Sequence, residues 1–119
     1  MYCIPKELDL SKAIGEFTTQ ICIGKYDFQF SLGKVHFTVE SPITLLRGGD
    51  LVATWKEGTW PESGFIEIFN VPVTKALIAS DEKIIIFFEN SLEMHLVDNS
   101  DQFESMQISI EGEPETWII

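Results

Sequence analysis

Two histidines, His36 and His95, and two cysteines, Cys3 and Cys22, are the side chains in this sequence best suited to hold a metal or act as nucleophile and base. A metal site needs several His, Cys or carboxylate ligands converging at short spacing, and neither pair has a partner at such a spacing. His36 falls in the run Val35-His36-Phe37-Thr38-Val39 and His95 between Met94 and Leu96, where alternation marks each as a solvent-facing or internally satisfied residue of a strand. No phosphate-binding glycine loop, Walker lysine or serine elbow occurs, and Gly48-Gly49 reads as a turn, not as a dinucleotide fingerprint. No catalytic set, metal ligand or cofactor is therefore expected, and the chain reads as non-enzymatic. The cysteines fit a reducing cytoplasm without a disulfide, with Cys22 as a small apolar strand residue.

Charge says more than chemistry does. The chain carries 19 acids against 8 bases, a net charge of −11, with Arg47 as its one arginine. Nucleic acids and anionic membranes are bound through Lys and Arg that neutralise phosphates, so neither is an expected partner. The charge is also unevenly placed: Lys83 is the last base, and Glu89, Glu93, Asp98, Asp101, Glu104, Glu111, Glu113 and Glu115 follow it. Like charges within a Debye length of about 8 Å repel. Such a surface is either a solubilising face or the docking face for a cationic partner, which it attracts and orients. The candidate contacts are Asp98, Asp101, Glu104, Glu111, Glu113 and Glu115. Tyr26, Trp55, Trp60 and Trp117 are the candidate aromatic anchors, because interface energy concentrates in a few buried aromatics. Trp55 and Trp60 flank a loop, and either make contacts there or lid the end of the core.

The elements that must position these residues are strands. From Thr19 to Val39 apolar residues recur with a period of two, at Ile21 and Ile23, at Phe28, Phe30 and Leu32, and at Val35, Phe37 and Val39. Gly24-Lys25 and Gly33-Lys34 divide the run into a three-stranded antiparallel meander, with Gly33 supplying the backbone angles of a tight turn. A gapless shift of about 57 positions lays this meander on a second one: Ile21 on Ile78, Phe28 on Ile85, Phe30 on Phe87, Val35 on Leu92, and Gly33 on Asn90. The second unit comprises strands at Val73 to Ala79, Ile84 to Phe88 and Leu92 to Val97. Ile84 to Phe88 is apolar on both faces, which predicts a central strand covered on both sides.

Around the meanders, Ser11 is a candidate N-cap of a short helix ended by Gly15. Pro42 closes the third strand, Arg47 to Asp50 is a turn, and Leu51 to Trp55 is a strand. Phe65 to Phe69 alternates like a strand, but its position before the second meander favours a helix, with Ser63 as cap and Pro72 as stop. A slip of phase between Phe103 and Met106 predicts a β-bulge or helical turn near Glu104-Ser105. Thr116 to Ile119 pairs back as a terminal strand. The fold expected is α+β and mainly β: two three-stranded antiparallel meanders, a candidate internal repeat, with a C-terminal hairpin and one or two short helices, in a single domain spanning 1–119. The first residues carry neither a basic leader nor a long apolar segment, so a soluble cytoplasmic protein is expected. The oligomeric state is left open.

The Gln20-Ile21-Cys22-Ile23-Gly24 opening, the Phe28-Gln29-Phe30 strand, and Val35-His36-Phe37-Thr38-Val39-Glu40 form one half of a pattern. The other half ends in Asp101-Gln102-Phe103-Glu104-Ser105-Met106-Gln107-Ile108 and closes on Trp117-Ile118-Ile119. Together they resemble a family of small β-rich bacterial proteins that look like the acidic immunity proteins of contact-dependent growth inhibition and related polymorphic toxin systems. The resemblance implies a cytoplasmic protein that binds and neutralises one cognate toxin domain, often a basic nuclease, and it carries over no catalytic residue. Two other readings stand beside it: a small-ligand-binding β module, in which the two meanders enclose an apolar cavity, and an acidic nucleic-acid mimic that inhibits a DNA-binding protein.

Overall fold

Alternation and turn chemistry settle most of the strands. The structure, a computed structural model, describes residues 4–99 and 104–119. The first meander consists of β1 (Cys22–Ile23), β2 (Phe28–Leu32) and β3 (Val35–Val39). β2 and β3 bury Phe28, Phe30, Leu32, Val35, Phe37 and Val39, and turn Gln29, Ser31, His36 and Thr38 to the opposite face. Gly33 takes φ 60° in the two-residue turn between them, the angle a primed hairpin turn demands of its first residue. Any side chain there would also meet Glu16, with an added Cβ 2.6 Å from its side-chain carbons.

The chain then crosses to a second sheet and forms the hairpin β4 (Ile43–Arg47) and β5 (Asp50–Trp55). Gly48 and Gly49, at φ 60° and 87°, supply the positive angles of its tight turn. A second meander follows, β6 (Val73–Ser80), β7 (Lys83–Phe88) and β8 (Leu92–Val97), and then a last hairpin, β9 (Met106–Ile110) and β10 (Trp117–Ile118). The strand orders are β1-β2-β3-β9-β10 and β5-β4-β8-β7-β6, and every pairing is antiparallel. The architecture is mainly β, and the inward faces of both sheets meet in one apolar core.

The duplication is one of topology. Each half contains a 3₁₀ turn and five strands: Ser11–Ala13 with β1 to β5, and Ser63–Ile68 with β6 to β10. In each half the meander stays in one sheet while the following hairpin is given to the other, so β4 extends β8 and β9 extends β3. The segments entering the two meanders also pair, through a parallel bridge between Thr18 and Phe69. Gly15 and Val73 continue this contact: the Gly15 N–H donates to Val73 O at 2.7 Å and the Val73 N–H to Glu16 O at 2.8 Å.

The residue-by-residue match at a shift of 57 fails in the middle strand. β7 buries Ile84, Ile86 and Phe88, so Ile85 and Phe87, which the shift lays on Phe28 and Phe30, point outward and are half-buried. The turn explains the slip. Two residues connect β2 to β3, whereas three connect Phe88 to Leu92, and the positive φ falls on Ser91 (71°) instead of Asn90. β7 is thus covered on one face, with its outer face only partly shielded. The helix over Phe65 to Phe69 forms as the 3₁₀ turn Ser63–Ile68, without a side-chain cap from Ser63. The first turn takes its cap from Asp9, whose Oδ1 accepts the Ser11 N–H at 2.9 Å; that bond and the Ser11 hydroxyl hold the Asp9 carboxyl below its ordinary range. Cys22 is exposed and free, not an apolar packing residue, and Cys3 lies outside the described residues. Opposite Ser105 the β3 side bulges, the Ser105 carbonyl accepting both the Glu40 and Ser41 N–H groups and leaving an additional residue at the end of β3; the expected slip between Phe103 and Met106 rests on a residue outside those described. Phe103 lies outside the described residues. No helix among those described is long and apolar enough to cross a membrane.

Candidate functional site

Strand register divides the acidic run between the two ends of one sheet. β9 runs from Met106, opposite Val39, to Ile110, opposite Val35. A strand rises about 3.4 Å per residue, so Glu104 and Glu111, beyond its two ends, lie well over a Debye length apart. Glu111, Glu113 and Glu115 occupy the β9–β10 turn. The Glu111 N–H donates to Lys34 O at 2.9 Å, placing this group beside the β2–β3 turn. Glu111 pairs with His36, its Oε2 2.9 Å from Nε2, and Glu113 accepts the Trp117 indole N–H at 3.3 Å. Trp117 is half-buried against the core. Glu104 and the Glu111, Glu113 and Glu115 group therefore lie at opposite ends of β9, while Glu93 stands on β8 of the other sheet, so the described acids form no continuous stripe.

Two of the expected contact residues are structural. Asp98 is only 7% exposed; its Oδ1 accepts the Ser105 hydroxyl at 2.6 Å and its N–H donates to Glu82 O, because β8 ends under the β9 approach. Trp55 is 1% exposed. As the last residue of β5 it points inward, its ring set edgewise on Phe28 at a centroid distance of 5.6 Å, so it lids the core and presents nothing to a partner. Asp101 lies outside the described residues.

At the other end, strand termini and loops gather the remaining candidates with three acids that the sequence reading had not singled out. Glu104 sits beside Glu40, which leaves β3, together with Asp27 from the β1–β2 turn and Glu57 from the β5 loop. Partial burial, followed by the nearby charges of Glu104, Asp27 and Glu57, raises the Glu40 carboxyl above its ordinary range. Neighbouring like charges oppose ionisation, so these carboxyls repel one another when ionised. Only Glu40, Glu57 and Asp27 at strand ends could have signalled it, and strand ends in one sheet become neighbours only once pairing is known.

Aromatic side chains stand beside these acids. Tyr26 is 57% and Trp60 78% exposed. Their two loops are joined where the Gly58 N–H donates to Lys25 O at 2.8 Å. The Trp60 loop is held firmly: Thr59 Oγ1 donates to Lys56 O at 2.6 Å, the Trp55 indole N–H donates to Thr59 O at 3.0 Å, and Glu62 Oε1 accepts the Thr54 N–H at 2.8 Å. Trp60 is thereby presented on a fixed base. It borders recesses on both sides: one of about 390 Å³ with Pro42 and Thr44, and an apolar one of about 380 Å³ with Ile21, Ile23, Phe65, Ile66 and Phe69.

A raised carboxyl has a sign that can be checked. Glu40 binds its proton more tightly in the fold than in the unfolded chain, so its contribution favours folding below the unfolded value and is lost as pH rises through the native one. Glu40→Gln is expected to raise the melting temperature at neutral pH, with the gain shrinking as pH falls through the ordinary glutamate range; melting curves from acid to neutral pH check it.

Among the described residues no three His, Cys, Asp or Glu side chains converge as a metal site. Comparison with known proteins finds no family model, no curated protein and no solved structure that matches the chain.

Proposed function

We propose that this chain is an immunity protein that binds and neutralises a basic toxin domain, docking through the end of the sandwich built from Tyr26, Asp27, Glu40, Glu57, Trp60 and Glu104. The observation that carries the reading is Glu40, a carboxyl pushed up by burial and three neighbouring acids beside an exposed tryptophan on a hydrogen-bonded loop. Lys and Arg from a partner would relieve that repulsion, so binding and stability favour the same ion pairs. Trp60 adds a large apolar anchor whose position is set before the partner arrives, which lowers the ordering cost of association. An interface of ordinary size, about 800 Å² on each partner, would cover both features.

The resemblance to immunity proteins names the partner class, and because such systems encode the toxin beside its immunity gene, a toxin domain from the adjacent gene is the reagent to test. Trp60→Ala is expected to weaken that complex by about 2 kcal/mol or more, a loss of about 30-fold or more, with the melting temperature retained because the side chain lies outside the core. Calorimetric titration checks it, and an unchanged affinity would remove Trp60 from the interface.

A further inference from the structure

At the opposite end of the same sheet, the two-residue turn at Gly33-Lys34 fixes Ser31 opposite His36. In such a hairpin Leu32 and Val35 form the hydrogen-bonded pair next to the turn, and Ser31 and His36 form the following non-bonded pair, whose side chains approach most closely. Ser31 Oγ lies 2.6 Å from His36 Nδ1. On the other side of the ring, His36 Nε2 lies 2.9 Å from Glu111 Oε2, with Glu111 held in place by the bond from its own N–H to Lys34 O. An ionised carboxylate can only accept; in the neutral tautomer that donates Nε2–H to Glu111, Nδ1 is the nitrogen that accepts from the serine hydroxyl. Nucleophile, base and orienting acid thus stand in hydrogen-bonded series from β2 through β3 to the turn that follows β9.

The same register aims the Ser31 backbone away from β3. Phe28, Phe30 and Leu32 turn their N–H groups toward β3, so that of Ser31 points toward the line of β1, and β1 ends at Cys22. Gln20, which would continue that ladder, is bonded to Thr18 instead: its N–H donates to Thr18 Oγ1 at 3.4 Å and its carbonyl accepts from that hydroxyl at 2.8 Å. The β1–β2 pairing stops at Cys22 opposite Gln29, so Ser31 lies one step beyond the paired ladder. Ser31 lines a cleft of about 430 Å³ with Phe17, Thr19, Gln20, Gln29 and His36, on the side toward which its N–H is aimed. A backbone donor on the nucleophile's own residue is where acyl-transfer sites stabilise an oxyanion.

We propose that Ser31, His36 and Glu111 form a hydrolytic site for short-chain carboxylic esters, independent of the acidic end. Ser31 Oγ attacks the ester carbonyl carbon as its proton passes to His36 Nδ1, and the Ser31 N–H donates to the oxyanion. Collapse breaks the carbon–oxygen bond to the alcohol, which leaves with the proton from Nδ1. Water then attacks the acyl-serine through the same base, releasing the acid and restoring Ser31. Phe17 lines the cleft as its apolar wall. Glu111 acts through His36 as a positioning residue.

The test uses 4-nitrophenyl acetate turnover together with labelling by a fluorophosphonate probe, mapped by peptide mass spectrometry on the unaltered protein. A single adduct on Ser31 is expected, with Ser31→Ala abolishing it. His36→Gln should slow turnover by about 10² to 10⁴-fold, and Glu111→Gln should lower kcat while KM stays. The wild-type adduct map needs no variant to fold. No adduct on Ser31, or Ser31→Ala turning over like the wild type, would overturn the proposal. The acidic end lies at the far side of the sheet, so failure of the toxin complex leaves this result untouched.

Discussion

Replacing Trp55 with alanine is expected to lower the melting temperature by roughly 10–25 °C, from a loss of about 3–5 kcal/mol when a buried aromatic is removed. The ring is 1% exposed and belongs to an aromatic cluster in which Phe28 meets Trp55 at 5.6 Å and Phe65 at 5.1 Å. No neighbour can fill a void of that size without leaving its own rotamer. The indole N–H donates to Thr59 O at 3.0 Å, so the same substitution loosens the loop beneath Trp60. Trp55→Phe keeps most of the packing and loses that bond, at a net cost of about 1 kcal/mol. Thermal unfolding followed by circular dichroism separates the two. An alanine variant that melts with the wild type would mean that Trp55 is not packed as described.

The second large effect is on binding. Asp27→Lys, Glu57→Lys and Glu104→Lys together add six positive charges to a chain of net −11, leaving it at −5. Electrostatic steering accelerates association by about 10 to 10³-fold at low salt, and most of that gain should vanish because the reversal is local to the Glu40 end. Glu113→Lys with Glu115→Lys serves as the control: it adds four charges at the opposite end of β9 and is expected to change affinity little. Sedimentation or calorimetric binding to the proposed toxin partner compares the two variants. An equal loss from both would show that total charge matters and position does not.

These two expectations also mark where the sequence was legible. Period-two alternation located both meanders and the C-terminal hairpin, because side-chain direction in a strand is a local property. Gly33 and Gly48-Gly49 were legible as turns for the same reason, since positive φ is a property of one residue. β4 escaped because its outward Leu46 breaks the alternation and its pairing with β5 slips between Leu45 and Leu46. The 57-residue match misjudged β7 because a loop one residue longer reverses which side chains face inward. Of the two readings open for Trp55 the lid over the core holds, while Asp98 was misplaced as a surface residue: residue type alone does not reveal that one ends an inward-facing strand and the other lies under Ser105. Least legible was the exchange of hairpins between the sheets. It is set by non-local pairing, and it decides that Glu104 joins Asp27, Glu40 and Glu57 while Glu111 joins His36. Glu104 and Glu111, seven residues apart in sequence, stand at opposite ends of β9 in space. Tyr26, Trp60 and Glu104 were identified as candidates from sequence and do lie at one end.

The proposal that the acidic end docks a toxin is tested most directly by the association rate constant with the proposed toxin partner, measured by stopped flow at ionic strengths from about 0.01 M to 0.15 M, over which the Debye length shrinks from about 30 to 8 Å. The wild-type rate is expected to fall steeply with added salt, and the Asp27, Glu57 and Glu104 triple reversal to be slow and nearly salt-independent. A wild-type rate that ignores salt, or a triple variant that associates as fast as the wild type, would contradict docking through this end.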